Sequence, residues 1–473
     1  MSQKYLIHSN NIIKRSLKAS LYFFITFNEH FKNDYIRKGL IMGLLDEINK
    51  QRKTDKKVDN KVVTEISYPT GFSPLDYANG VQVTAYDDYD MPIETNDMLG
   101  IVGGSKVTII GISGTGKSAL AIEIAGSCIH MFKDNSCVQH ADIEGATSMQ
   151  RPMKILRLPP SLLKKTYELF HDKAAEDIVD LFKTHCLIKL ENKNKYTYNT
   201  GVRNLYGDII YELYPSASII DSFAMFKSKD IDLGVKEVKD ITNNMMAARS
   251  AQFNKGILSQ MISYGKKANV SIITVNHINA NVNTSFIPKP SQHMYLSQDE
   301  SIPGGTASLY LANNIIKLKL LKKYITDKPE TMEYGIPGFL VDARFIKSRT
   351  NSANVPVELV FDHRSGRFSK TLTLLHYAVK HELLQGSSRS LYLPGLPSSK
   401  FTKKTFEDTV KKSPDILLAL YEACLPKLQS MLSTDYGKFS EESSKEKYDA
   451  MYMALEEHQR DVEGYKKQGW LDF

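Results

Sequence analysis

The sequence predicts an α/β protein built around a mainly parallel sheet, and three observations predict it. The middle of the chain alternates short β-rich runs with helix-length segments, the pattern of strands whose crossovers cover both faces of a sheet. One strand-to-helix junction, Gly111-Ile112-Ser113-Gly114-Thr115-Gly116-Lys117-Ser118, matches G-x-x-x-x-G-K-[ST] at every fixed position, in the context a phosphate-binding loop requires. After residue 310 the strand-like runs follow one another without helices of comparable length, which predicts an antiparallel extension of the sheet.

In order, Lys106 to Gly111 reads as a strand and Lys117 to Phe132 as a helix. Ser136 to Ala141 and Ser216 to Asp221 read as further strands. Asn243 to Lys267 has helical spacing, with Met246, Ile257, Leu258, Met261 and Ile262 at apolar positions. Val270 to Val275 is a fourth strand. Asn314 to Leu320, Phe339 to Phe345 and Val357 to Phe361 form the extension, which ends at the turn signal Asp362-His-Arg-Ser-Gly366 before Arg367-Phe368. From about 375 the chain is polar and helix-rich, with Ser387 to Ser399 reading as a linker and Tyr448, Met451, Met453, Leu455 and Trp470 as packed helix positions.

The chain has 473 residues, of which 42% are hydrophobic and 24% charged, so it is neither disordered nor fibrous. Lys plus Arg number 61 against 53 acidic residues, a net +8 that suits a polyanion partner. Cys128, Cys137, Cys186 and Cys424 form no C-x-x-C pair, which disfavours a disulfide scaffold or zinc module and fits a reducing compartment. The early apolar run Leu21 to Phe27 is seven residues long, against about twenty for a bilayer span, and no small-residue cleavage site follows it. A cytoplasmic protein without a membrane partner is the expectation. Residues 1–66 carry thirteen Lys/Arg against seven Asp/Glu, a basic extension that reads as a solvated linker or an arm for nucleic acid or a neighbouring subunit. Met42 begins Met-Gly-Leu-Leu-Asp-Glu-Ile-Asn-Lys, which reads like a natural start and makes residues 1–41 a candidate upstream extension.

The phosphate loop has a direct physical reading. Its glycines let successive backbone N–H groups face a β-phosphate, and the following helix start adds partial positive charge. Lys117 neutralises β- and γ-oxygens and Ser118 holds Mg²⁺ through its hydroxyl, which makes ATP and Mg²⁺ the expected cofactors. Asp221, at a strand tip, is the candidate carboxylate for ordering the metal's water shell. Glu144, just past a strand end in Asp142-Ile143-Glu144, is the candidate for polarising the attacking water.

Together these motifs resemble the RecA-type homologous recombinases, including phage recombinases of the UvsX kind, over about residues 68–368. Pro69-Thr70-Gly71 with Leu75-Asp76 and Gly80 resembles the family's opening segment, and Ala141-Asp142-Ile143-Glu144 its D-x-E. Met245-Met-Ala-Ala-Arg249 resembles the helix start after the first DNA-binding loop, and Asn276-His277 the sensor pair. Pro303-Gly304-Gly305 resembles the close of the second DNA-binding loop, and Lys347-Ser-Arg349 the basic pair that reaches a neighbouring subunit's ATP. Residues 81–100 look like an insertion, and His277 and Asn279 depart from the bacterial pattern of Gln and a basic residue.

The resemblance implies a RecA-like P-loop ATPase core at 66–370, between an N-terminal extension at 1–65 and a helical C-terminal region at 375–473. It implies a DNA-dependent ATPase that forms helical filaments on single-stranded DNA and promotes strand exchange with duplex DNA in recombination and repair. Its partners would include mediator and single-strand-binding proteins, in host cytoplasm if the chain is phage-encoded. Arg249, Phe286, Lys289, Gly304 and Gly305 are the implied DNA contacts, and Glu144, Lys117, His277, Lys347 and Arg349 the implied catalytic set. The segment Ile278 to Pro303 is long and polar and carries Phe286, Lys289, His293 and Tyr295, so cations for phosphate and an aromatic wedge for bases are both present. Phe226 to Asp240, with Lys227, Lys229, Lys236 and Lys239, is a second such segment. Lys347 and Arg349 alternate with Ile346 and Ser348 along an expected strand, which predicts both cations on one face.

A hexameric replicative helicase of the DnaB kind is the alternative reading. Residues 1–65 cannot supply its usual N-terminal domain, and that family lacks the Gly-Gly closure seen at 304–305. An ATP-binding mediator with a degenerate site is disfavoured by the intact Lys117, Ser118, Glu144 and Asp221.

Overall fold

Nine strands of one sheet organise the molecule, and helices cover both faces of its parallel part, as the alternation of strands and helices implies. The structure is a computed structural model describing residues 64–87, 91–171, 173–226, 243–280, 294–297, 300–303, 307–324 and 333–434, with the side chains of 243–251, 280 and 434 outside that description. These residues belong to a compact unit that begins at Thr64. The N-terminal expectations, the tail beyond 434, Phe286, Lys289, Gly304, Gly305 and the lysines at 227, 229, 236 and 239 lie outside the described residues.

The strands are β1 Lys106–Gly111, β2 Val138–Asp142, β3 Tyr167–His171, β4 Ser216–Asp221, β5 Val270–His277, β6 Asn314–Tyr324, β7 Gly338–Lys347, β8 Pro356–Asp362 and β9 Arg367–Phe368. Their spatial order is β3-β2-β4-β5-β1-β6-β7-β8-β9. The first six are mutually parallel, and β7, β8 and β9 extend the sheet antiparallel. β3 was not legible in the sequence: Tyr-Glu-Leu-Phe-His alternates too briefly to stand out, and it becomes a strand by pairing in register with β2.

The principal helices are α1 Lys117–Phe132, α2 Ala175–Glu191, α3 Asn243–Ala268, α4 Lys370–Lys380 and α5 Asp415–Gln429. On one face, Leu120, Ile124 and Ile129 of α1 pack with Val107 and Ile109 of β1, Ile219 of β4 and Val275 of β5. On the other, Phe182 of α2 and Leu258 and Met261 of α3 pack with Ile220 and Ile272. Each such fully buried aliphatic contributes roughly 1.5–3 kcal/mol, which outweighs the lower helix propensity of the β-branched residues in α1.

Two expectations are corrected. The Ser-rich stretch expected as a linker is a three-stranded antiparallel sheet, Gln385–Ser387, Ser390–Leu393 and Leu396–Phe401. Its polar composition hides Leu393 and Phe401, which are buried in a second core with α4, α5 and β7. Arg349 lies beyond the end of β7, which stops at Lys347, so the two cations do not share a strand face. The expected insertion at 81–100 is largely a hairpin, Val81–Tyr86 against Pro92–Met98.

Candidate nucleotide-binding site

The carboxyl ends of β1, β2, β4 and β5 lie along one edge of the sheet, where open α/β folds bind ligands. Register brings their terminal residues side by side: Gly111 is level with His277, and Asp221 with Asp142.

The loop after β1 owes its shape to glycine. Gly114 and Gly116 take φ of +78° and +83°, a region that side chains with a Cβ avoid. At Gly116 a Cβ would also meet the Phe368 ring at 2.8 Å. Gly116 caps α1, so the first N–H groups of the helix open toward the loop. Ile112, Ser113 and Gly114 are exposed. Thr115 Oγ1 and Lys117 Nζ both donate to Ile112 O, at 2.9 and 2.8 Å. Burial lowers the Lys117 pKa to about 8, against the opposing pull of Asp221 and Glu144.

Asp221 is buried, and burial raises its pKa; a hydrogen bond with Ser118 lowers it, and the charges of Glu144 and Asp142 raise it again. Ser118 and Asp221 therefore form a pair of oxygen donors beside the loop.

Asp142 and Glu144 have separate tasks. Asp142 is buried and accepts from Thr147 N at 2.5 Å, while Ile143 N donates to Asp221 O at 2.7 Å. These bonds fix the turn that carries Glu144 outward. Glu144 Oε1 meets His277 Nε2 at 3.2 Å, with each side chain about one-third exposed (36% and 33%). Because β4 separates β2 from β5, this contact spans the width of a strand above Asp221.

The backbone around His277 is tied to the chain beyond it. Asn276 Nδ2 donates to Pro303 O at 2.9 Å, and Asn279–Ala280 pairs with Glu300–Ser301 as a two-stranded ribbon. Lys347 Nζ donates to Leu309 O and Tyr310 O at 3.3 and 2.9 Å and sits 5.5 Å over the Tyr295 ring. Arg249 lies within α3.

The structure thus brings Lys117, Ser118, Glu144, Asp221 and His277 together. It sets Lys347 apart from them, against the carbonyls of its own chain. Asp142's hold on the Glu144 turn escaped sequence reasoning, although its position in D-x-E was visible. Asp76 likewise proves to be a clasp: Thr70 N and Oγ1 donate to Oδ1, both at 2.7 Å, and Gly71 N to Oδ2 at 3.1 Å.

No protein-family model matches the chain, and no curated protein matches it. Among solved structures it is similar to a crystal structure of the RadB recombinase, at 13% identity and a TM-score of 0.33, over 56% of this chain and 91% of that one. At that TM-score the likeness decides neither fold nor chemistry, which rest here on the strand order and the residues at the strand ends.

Proposed function

We propose that this chain is a RecA-type DNA-dependent ATPase that coats single-stranded DNA and exchanges it with a duplex. The observation that carries the ATPase is the convergence of four parallel strand ends on one edge, with Glu144 bonded to His277 at 3.2 Å above Asp221 and beside the glycine loop. The DNA part rests on the ordered sequence resemblance.

The donor set fits magnesium. A hydroxyl and a carboxylate are hard oxygen ligands, and among the described residues no group of three or more His, Cys, Asp or Glu forms a cage of its own. Ser118 and Asp221 would hold the ion together with phosphate oxygens, and it would neutralise charge developing on them.

Each residue then has a task. Lys117 gives up Ile112 O for phosphate oxygens, whose charge favours its ammonium form. Glu144 orients the attacking water and accepts its proton. His277 holds Glu144 until a γ-phosphate competes for the imidazole, so phosphate arrival both frees the base and is felt at β5. Asn276, next along β5, passes that change to Pro303 and the segment proposed to meet DNA. Lys347 and Arg349 act on the nucleotide of a neighbouring subunit, for which Lys347 leaves its own carbonyls.

The test is Glu144→Gln. Single-stranded DNA stimulates hydrolysis by the wild-type chain, and the variant loses on the order of 100-fold of that rate while still binding ATP. A wild-type chain whose hydrolysis ignores DNA overturns the reading. Electron microscopy with ATP and single-stranded DNA shows a continuous filament; a closed ring points to a hexameric helicase.

A further inference from the structure

Lys106 opens β1 and is fully buried, yet its three side-chain partners are all uncharged oxygens. Its Nζ meets Thr108 Oγ1 at 2.7 Å, Thr274 Oγ1 at 3.3 Å and Ser308 O at 2.6 Å. Thr108 Oγ1 donates to the same Ser308 carbonyl at 2.8 Å and lies 2.9 Å from Thr274 Oγ1. A buried ammonium without a counter-ion is expensive, and burial, followed by the charge of Lys347, pushes the Lys106 pKa well down. All three oxygens can accept from the Lys106 nitrogen, so the amine is fully engaged where it lies.

Lys106, Thr108, Thr274 and Asn276 share one face of β1 and β5, since Thr108 is level with Thr274 and side chains alternate. That polar stripe grips backbone carbonyls beyond the sheet, Pro303 O by Asn276 and Ser308 O by Lys106 and Thr108. The next two carbonyls, of Leu309 and Tyr310, hold Lys347. A polar stripe in a doubly covered strand adds nothing to apolar burial, so its use lies in what it holds.

We propose that Lys106 is a positioning residue: with Thr108 it clamps Ser308 to the strands that carry the phosphate loop and His277, so that a change at the nucleotide is delivered both to residues 308–310 and to Lys347. This rests on the ATPase reading above and names how DNA stimulation reaches that site.

The test uses the full-length chain with Lys106→Met, which keeps the length and removes the amine, and Thr108→Val, which keeps the shape and removes the hydroxyl. ATP hydrolysis is measured with and without single-stranded DNA. In both variants KM for ATP and the basal rate stay within about twofold, while kcat with DNA falls about tenfold, the effect of one well-placed hydrogen bond. The double variant is no worse than the weaker single one, because both side chains serve the same carbonyl. If both variants keep DNA stimulation, or if basal and stimulated rates fall in parallel, the clamp is wrong. Should Lys106→Met not fold, Thr108→Val decides alone. A wild-type chain without DNA stimulation defeats the functional reading instead, so the two failures are distinguishable.

Discussion

The two ends of the central sheet treat their carboxylates in opposite ways. At the parallel edge, burial raises the Asp221 pKa, and the hydrogen bond that offsets it comes from the Ser118 hydroxyl rather than from a cation. At the antiparallel end, burial would also raise Glu358 and Glu333. There, hydrogen bonds from Lys380 and His376 to the first, and from Lys403 and Lys322 to the second, bring both below the ordinary value. His376 is held on its other side by Tyr334 OH at 2.5 Å, and meets Glu358 at 2.7 Å. The antiparallel end has settled its charges internally and serves stability. The parallel edge gathers Asp142, Glu144 and Asp221 beside a helix N-terminus and Lys117, an arrangement that the proposed magnesium nucleotide would complete.

Three measurements can break or sharpen that contrast. The largest effect is expected from Asp221→Asn. A neutral amide relieves the buried charge, so the apparent melting temperature rises, while magnesium-dependent ATP hydrolysis falls on the order of 100-fold for want of a metal ligand. A loss of stability with activity retained would mean that Asp221 is an ordinary structural acid.

Glu358→Ala should do the reverse. It strands His376 and Lys380 and costs about 2 kcal/mol of stability in denaturant titrations, with the basal ATPase unchanged. An ATPase defect without a stability change would erase the division of labour.

The effect smallest near neutral pH is a pH dependence in the floor of the parallel sheet. His140 is buried, with Nδ1 2.8 Å from Tyr167 OH, and burial pushes its pKa down to about 3. The unfolded chain binds this proton near pH 6.5, so stability is fully present above that pH and is lost as the pH falls toward 3. At pH 5 the loss is about 2 kcal/mol. His140→Gln removes that part of the slope; an unaltered slope would show that His140 does not carry it.

Much of this was readable in the residues because the signals are local. The phosphate loop needs glycine at fixed offsets, and the run Lys117 to Phe132 became α1 with the expected bounds. β4 likewise follows the expected Ser216–Asp221. What was missed depends on partners far along the chain. β3 exists through β2, and the stretch taken for a linker is ordered by two buried apolar residues among serines. Arg349 could not be assigned to a face because the end of β7 is set by pairing with neighbouring strands, not by its own alternation.

By itself, the sequence determined the α/β class, the antiparallel extension and the identity of the side chains at the strand ends, because periodicity and glycine placement act over a few residues. Tertiary structure alone decided that Glu144 rests on His277, that Lys347 is held by its own carbonyls and that the buried Lys106 grips Ser308. Those contacts join residues from 37 to 202 positions apart, and only the strand order and register of the folded sheet bring them within hydrogen-bonding distance.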